Sequence, residues 1–160
     1  GLDYLMTQAA RRGLRIVFNP SPIDESIFRL PLGEAWLLIF NEIEGAALAG
    51  CDDEEGILNT LRQRWPRCRL LLTLGSHGCV YDDGQRRLRQ GIYQAETVDT
   101  TAAGDTFTGY FVACMAAGRP EEECLDLASR AAAIAVSRPG AAPSIPTMDE
   151  VQRCTLRRGE

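Results

Sequence analysis

Two stretches of the chain are apolar without alternation. They are AWLLIFN at 35–41 and RLLLTLG at 69–75, the pattern of strands covered on both faces. LRIVFN at 14–19 is a shorter strand of the same kind, cut off by Asn-Pro-Ser-Pro. Between and around these runs the period changes to that of helices. Residues 5–12 read as a helix stopped by Gly13. EIEGAALA follows Asn41 as its N-cap and ends at Gly50, and 54–65 is amphipathic. Farther along, CVYDDGQRRLRQ turns at Asp83-Gly84 and predicts a hairpin, and IYQAETV at 92–98 predicts one more strand. Residues 106–117 predict a helix closed by Gly118, with Phe107, Phe111 and Cys114 or Met115 on one stripe. An Ala-rich helix at 120–136, a Pro/Gly-rich loop and a last short helix follow. Met115 and the 131–134 run are expected in the core.

Buried-type strands alternating with helices predict an α/β chain, a layered α-β-α fold with a mainly parallel central sheet. In such sheets ligands gather beyond the carboxyl ends of the strands. Asn41, Thr73 and the 100–105 loop fall at such ends.

Composition narrows the choices. The chain has 160 residues, 45% of them hydrophobic, enough for one domain with a real core. A net charge of −5 and a pI near 5.0 argue against a nucleic-acid surface. The arginine pairs, Arg86-Arg87 among them, read as solvated faces. The six cysteines form no C-x-x-C and His77 is the single histidine, so neither a zinc site nor a disulfide framework is supported. Free thiols in a reducing cytoplasm are the expectation. No apolar run is long enough to span a membrane and no signal peptide is visible. The chain begins without Met, within a helical pattern, and is expected to be a piece of something longer.

Candidate chemistry concentrates at VDTTAAGDTFTGYF, residues 98–111. The amides of Ala102, Ala103 and Gly104 at a helix start can form a cup for negative charge on a transferring phosphoryl group. Asp105 beside them is placed to take a proton from an attacking hydroxyl. A plain helix cap with a turn glycine explains the same residues. Asn41 and Glu44 share one face of a first turn. They suit a hydrated Mg²⁺, which prefers oxygen ligands, as well as they suit a capping pair. Thr73, Gly75 and Gly78 form a tight turn, and His77 is expected to be solvent-exposed. Neither a P-loop nor a dinucleotide fingerprint occurs.

These motifs together closely resemble the ribokinase-like (PfkB) family of carbohydrate kinases, and Ala102-Ala103 is most similar to its ribokinase branch. The resemblance extends to FNPSP, NEIEGAALAG, TLGSHG and AAAIAVSRPGAAPSIP, in that order. It implies that Asp105 is the catalytic base and that Ala102, Ala103 and Gly104 form the anion hole. Asn41, Thr73, Gly75 and Gly78 would serve the nucleotide, and Glu44 would serve Mg²⁺ through water. A monovalent cation, K⁺, would sit under the anion hole. Its ligands would be Asp99, the Thr101, Ala135, Arg138 and Gly140 carbonyls and the Ser144 hydroxyl. Ser129 would lie near adenine.

Family members are about twice this length, so the resemblance makes residues 1–160 a C-terminal nucleotide-binding and catalytic half. The N-terminal sugar-binding half and lid would be absent. The implied reaction is ATP-dependent phosphorylation of a sugar hydroxyl, ribose first, with a fructose phosphate, a ketodeoxy sugar acid or a nucleoside as alternatives. A non-catalytic nucleotide-binding fragment is the reading from another class. Truncation would leave an unpaired strand edge, so self-association or pairing with the missing half is expected. Nucleic-acid and membrane partners are not expected.

Overall fold

A computed structural model describes residues 1–159. The chain separates into two units. One comprises Gly1–Gly75 with Cys79–Arg89, the other Ser76–Gly78 with the chain from Gln90 onward.

The first unit is a sheet carrying helices. Strands β1 (Val17–Phe18), β2 (Leu37–Asn41), β3 (Arg69–Thr73), β4 (Cys79–Asp82) and β5 (Arg87–Gln90) lie in sequential order. β1 and β3 both run parallel to β2, whereas β4 runs antiparallel to β3. The sheet is therefore mixed, parallel through β1, β2 and β3 and antiparallel from β3 into the hairpin. Asp83-Gly84 sits in a short hairpin between β4 and β5, and a hairpin can only join antiparallel strands. Side chains alternate across β2 and β3. Leu38, Phe40, Leu70 and Leu72 share one core cluster with Leu48 of α2 (Glu42–Ala49) and Ile57, Leu58 and Leu61 of α3 (Glu54–Arg64). Helix α1 (Leu2–Arg11) contributes only Met6 to this cluster, and Gly13 ends it with a φ of +70°.

A buried ion cluster ties α3 to the hairpin. Asp82, 3% exposed, accepts from Arg62 at 2.7 Å, Arg87 at 2.8 Å and the Gly84 amide at 2.7 Å. Burial opposes its charge, but Arg87, the Gly84 amide and Arg62 outweigh that and hold its carboxyl below the usual range. Arg87 is exposed, as expected, and also reaches Glu55 and Asn59, so it is a structural link as well as a solvated residue. The carboxylate that recruits it is close only after the hairpin closes.

In the second unit α4 (Ala103–Ala116) packs on α5 (Glu121–Val136), and α6 (Met148–Gln152) packs on α5. Phe107, Phe111 and Cys114 are buried on the predicted stripe, while Met115 is only half-buried. Gly118, with a φ of +73°, follows the end of α4. The predicted strand at 92–98 does not form. Tyr93 alone makes a β-bridge, and its partner is Arg158. The Gln94 amide donates to the Arg157 carbonyl and the Gly159 amide to the Ile92 carbonyl, both at 2.8 Å. A partner so distant in sequence leaves no local signal of where pairing stops.

The six cysteines are free, four of them buried. Burial pushes the Cys68 thiol up to about 11 and the Cys124 thiol up to about 12, so both are protonated and inert near neutrality. Among the described residues no helix is long and apolar enough to cross a membrane.

Candidate active site

In the first unit the candidate residues stand at the carboxyl ends of β2 and β3. Asn41 and Thr73 close these strands and are register partners, so the parallel pairing itself sets them side by side. Asn41 is extended and caps α2. Its Oδ1 accepts the Glu44 amide at 2.9 Å, and Glu44 Oε2 accepts the Asn41 amide at 2.9 Å. This reciprocal box satisfies two otherwise orphaned donors. Glu44 is 4% exposed. With one carboxylate oxygen turned back onto the backbone, its remaining lone pairs fit an outer-sphere, water-mediated hold on Mg²⁺. The Thr73 hydroxyl reaches toward the Phe40 carbonyl at 3.5 Å.

Gly75 follows Thr73 closely with a φ of +53°, in a short 3-10 turn, Gly75–His77. Gly78, at φ +86°, closes that loop. A Cβ there would stand 2.0 Å from the Gln90 carbonyl oxygen, so only glycine fits. His77 is exposed, as expected.

In the second unit the helix start around Asp105 is built differently. Ala102 is the N-cap of α4 and offers no side-chain bond. The helical ladder begins with the Thr106 amide donating to the Ala102 carbonyl at 2.9 Å. The amides ahead of it have no carbonyl one turn back. Ala103 donates instead to the Thr100 carbonyl at 3.2 Å, which leaves Gly104 and Asp105 as the outward amides of the cup. Helix α4 thus starts three positions before the predicted 106, because small residues enter the first turn at no steric cost. Asp105 is exposed and accepts no hydrogen bond among the described residues. A helix cap is therefore not what it supplies.

The segment before α4 is tied to the loop after α5. Asp99 accepts from the Thr101 hydroxyl, the Thr101 amide at 2.9 Å and the Gly140 amide at 2.9 Å. These donors, the Thr101 hydroxyl first, keep its carboxyl below the usual range. The Val98 and Asp99 amides both donate to the Val136 carbonyl, at 2.7 and 3.1 Å. The Ala135 carbonyl takes the Arg138 amide at 3.1 Å, and the Ser144 hydroxyl, buried, donates to the Ala141 carbonyl at 2.7 Å. These bonds bring the Asp99 carboxylate and the 138–144 loop together. Donating leaves the Ser144 oxygen its lone pairs. Ser129 is buried, 7% exposed, on α5.

Sequence reading did not single out Arg138 as a side chain, or Glu150 and Tyr110 at all. The guanidinium of Arg138 meets Glu150 at 2.6 Å, and Tyr110 donates to the Pro146 carbonyl at 2.6 Å. Thr147-Met-Asp-Glu150, a capping-box spacing, was the available signal for the first.

Residues 3–148 match the model of the pfkB family carbohydrate kinases. The ribokinase of Schizosaccharomyces pombe is 34% identical over 94% of this chain, an alignment spanning 49% of that protein. Among solved structures, Arabidopsis thaliana ribokinase complexed with ribose and ATP superposes with a TM-score of 0.80 at 31% identity. That alignment covers 94% of this chain and 52% of that one. Thermotoga maritima ribokinase gives 0.76 at 31% identity, over 91% and 50%. The chain spans about half the length of the relatives it matches. A family model across nearly the whole chain, supported by shared fold at this identity, shows that the chain belongs to the pfkB family of carbohydrate kinases and has the ribokinase-like α/β fold.

Proposed function

We propose that this chain is the C-terminal, nucleotide-binding and catalytic half of an ATP-dependent sugar kinase, with ribose as the acceptor. The observation that carries this reading is the uncapped start of α4, where an exposed, unbonded Asp105 adjoins outward backbone amides. Asp105 would remove the proton from the attacking sugar hydroxyl. Of the 102–104 turn, whose Ala103 amide is taken by the Thr100 carbonyl, the outward Gly104 amide, with that of Asp105, would meet the charge developing on the transferring phosphoryl group, a preorganised contribution that needs no reorganisation during the step. Thr73, Gly75, Gly78 and Asn41 would hold the nucleotide, and Ser129 would lie near its base. Glu44 would hold a hydrated Mg²⁺, which when bound neutralises phosphate charge. Asp99, Thr101, Ala135, Arg138, Gly140 and Ser144 would hold K⁺ and with it the electrostatics beneath the turn.

Ribose is favoured by the named ribokinases among the relatives and by Ala102-Ala103. Fructose phosphate, a ketodeoxy sugar acid or a nucleoside is the alternative acceptor. The six free thiols support a reducing, cytoplasmic setting. Self-association is proposed through the β1 edge and α1. There Leu2, Tyr4, Leu5 and Leu14 are 45–65% exposed, and light scattering that finds only a monomer refutes it.

Calorimetric titration with MgATP in K⁺ buffer, with and without ribose, tests the reading. Binding of ATP alone is the expected result for the chain by itself. Ribose-enhanced binding would mean that it builds a sugar site unaided. No ATP binding overturns the proposal.

A further inference from the structure

The turn that carries Asp105 does not stand alone. Within the second unit a closed circuit of side-chain links runs around it. Asp99 ties Thr101 to the Gly140 amide. Two residues before Gly140, the Arg138 guanidinium bonds Glu150 Oε1 at 2.6 Å. Glu150 Oε2 accepts the Thr147 amide at 2.7 Å and the Thr147 hydroxyl at 3.0 Å. Next to Thr147, the Pro146 carbonyl accepts the Tyr110 hydroxyl at 2.6 Å. Tyr110 lies on α4, the helix whose first turn holds Asp105, and so completes the loop. Four separate segments meet here, and Glu150 joins the start of α6 to the 138–144 loop as Asp99 joins that loop to the 99–101 turn.

We infer that Glu150 is a positioning residue, which through Arg138 and Thr147 holds the 138–144 loop against the 99–101 turn and so fixes the start of α4. This rests on the reading of Asp105 as the base for its functional meaning, but not for its test. The Glu150 side chain is 43% exposed and Arg138 36%, and an isolated ion pair at such exposure contributes little. Here the carboxylate accepts from three donors on two segments, the bonds are charge-assisted, and what they stabilise is the geometry of a loop.

Hydrogen exchange at the Gly140 and Thr101 amides of the 160-residue chain is the test. Arg138→Gln removes the link while leaving the Thr147–Glu150 box intact. It is expected to speed exchange at both amides roughly fivefold, and Glu150→Ala at least as much. Arg138→Lys, which keeps the charge, should restore most of the protection. Arg119→Gln, which breaks the exposed Arg119–Glu123 pair elsewhere in the same unit, should leave both amides unchanged. Unaltered exchange in Arg138→Gln overturns the inference, because Glu150 would then be only a cap for α6. An equal response to Arg119→Gln also overturns it, because the effect would be general loosening. Exchange is read without substrate, so failure of the kinase reading would show separately, as absent ATP binding with the exchange pattern intact.

Discussion

Helices α2 and α4 both begin with an acid at their third residue, Glu44 in one and Asp105 in the other, and they use it in opposite ways. At α2 the cap is Asn41, with φ −90° and ψ −179°, and acid and amide bond each other's backbones. At α4 the cap is Ala102, with φ −107° and ψ 6°, a conformation unlike the extended one of Asn41, Asp53 and Thr147, the three residues that do cap. A side chain at 102 is badly aimed for capping, whatever its chemistry. The first arrangement stabilises a helix and buries its acid. The second leaves amides and a carboxylate exposed at a cost in helix stability, which is reasonable only where something else meets them.

The largest expected effect separates the two acids by function. Asp105→Asn should lower phosphoryl transfer by about 10²–10⁴-fold in an active preparation, with ATP affinity retained. Its stability should change by less than about 1 kcal/mol, the helix-dipole share of one charge. Full turnover in a coupled ADP-release assay would show that Asp105 is not the base. Gly78→Ala should cost several kcal/mol of unfolding free energy in urea, about 2–4, since the new Cβ meets a backbone oxygen at 2.0 Å.

Asn41→Ala should cost about 1 kcal/mol by thermal denaturation, the usual loss for an N-cap. Ala102→Ser should bring no comparable gain, with a change within about 0.5 kcal/mol, because the backbone there cannot aim a cap. A gain as large as the Asn41→Ala loss would break the comparison.

The α6 capping box extends the contrast to pH. The Thr147 amide, the Arg138 guanidinium and the Thr147 hydroxyl hold Glu150 down at about 2, against an ordinary 4.5. A lowered folded-state value stabilises above the ordinary one, so this contribution is complete above pH 4.5 and lost as pH falls toward about 2. Acid unfolding of Glu150→Gln should be flatter in that window than that of the unaltered chain.

Much of this was legible in the residues. Asn41-x-x-Glu44 already had the spacing of a capping box, and the position of Asn41 and Thr73 at strand ends followed from two buried strands ending in polar residues, whereas their register pairing did not. The base, cap or cup ambiguity at Asp105 was not resolvable from spacing, because small residues permit every option equally. The absence of a strand at 92–98 and the structural use of Arg87 were also invisible. Both depend on partners, Arg158 and Asp82, that adopt their positions only after the chain has turned.

By itself, then, the sequence determined most of the helices and the two buried strands, where the polar ends of β2 and β3 fall, and the family the motifs point to. Those properties are local, since periodicity, caps and turn residues act over a few positions. The tertiary structure alone decided that Asp105 is left open, that Arg87 is recruited by Asp82, and that Glu150 reaches Arg138. Each of these depends on backbone direction or on contacts between segments distant in the chain, and neither is encoded at any single position.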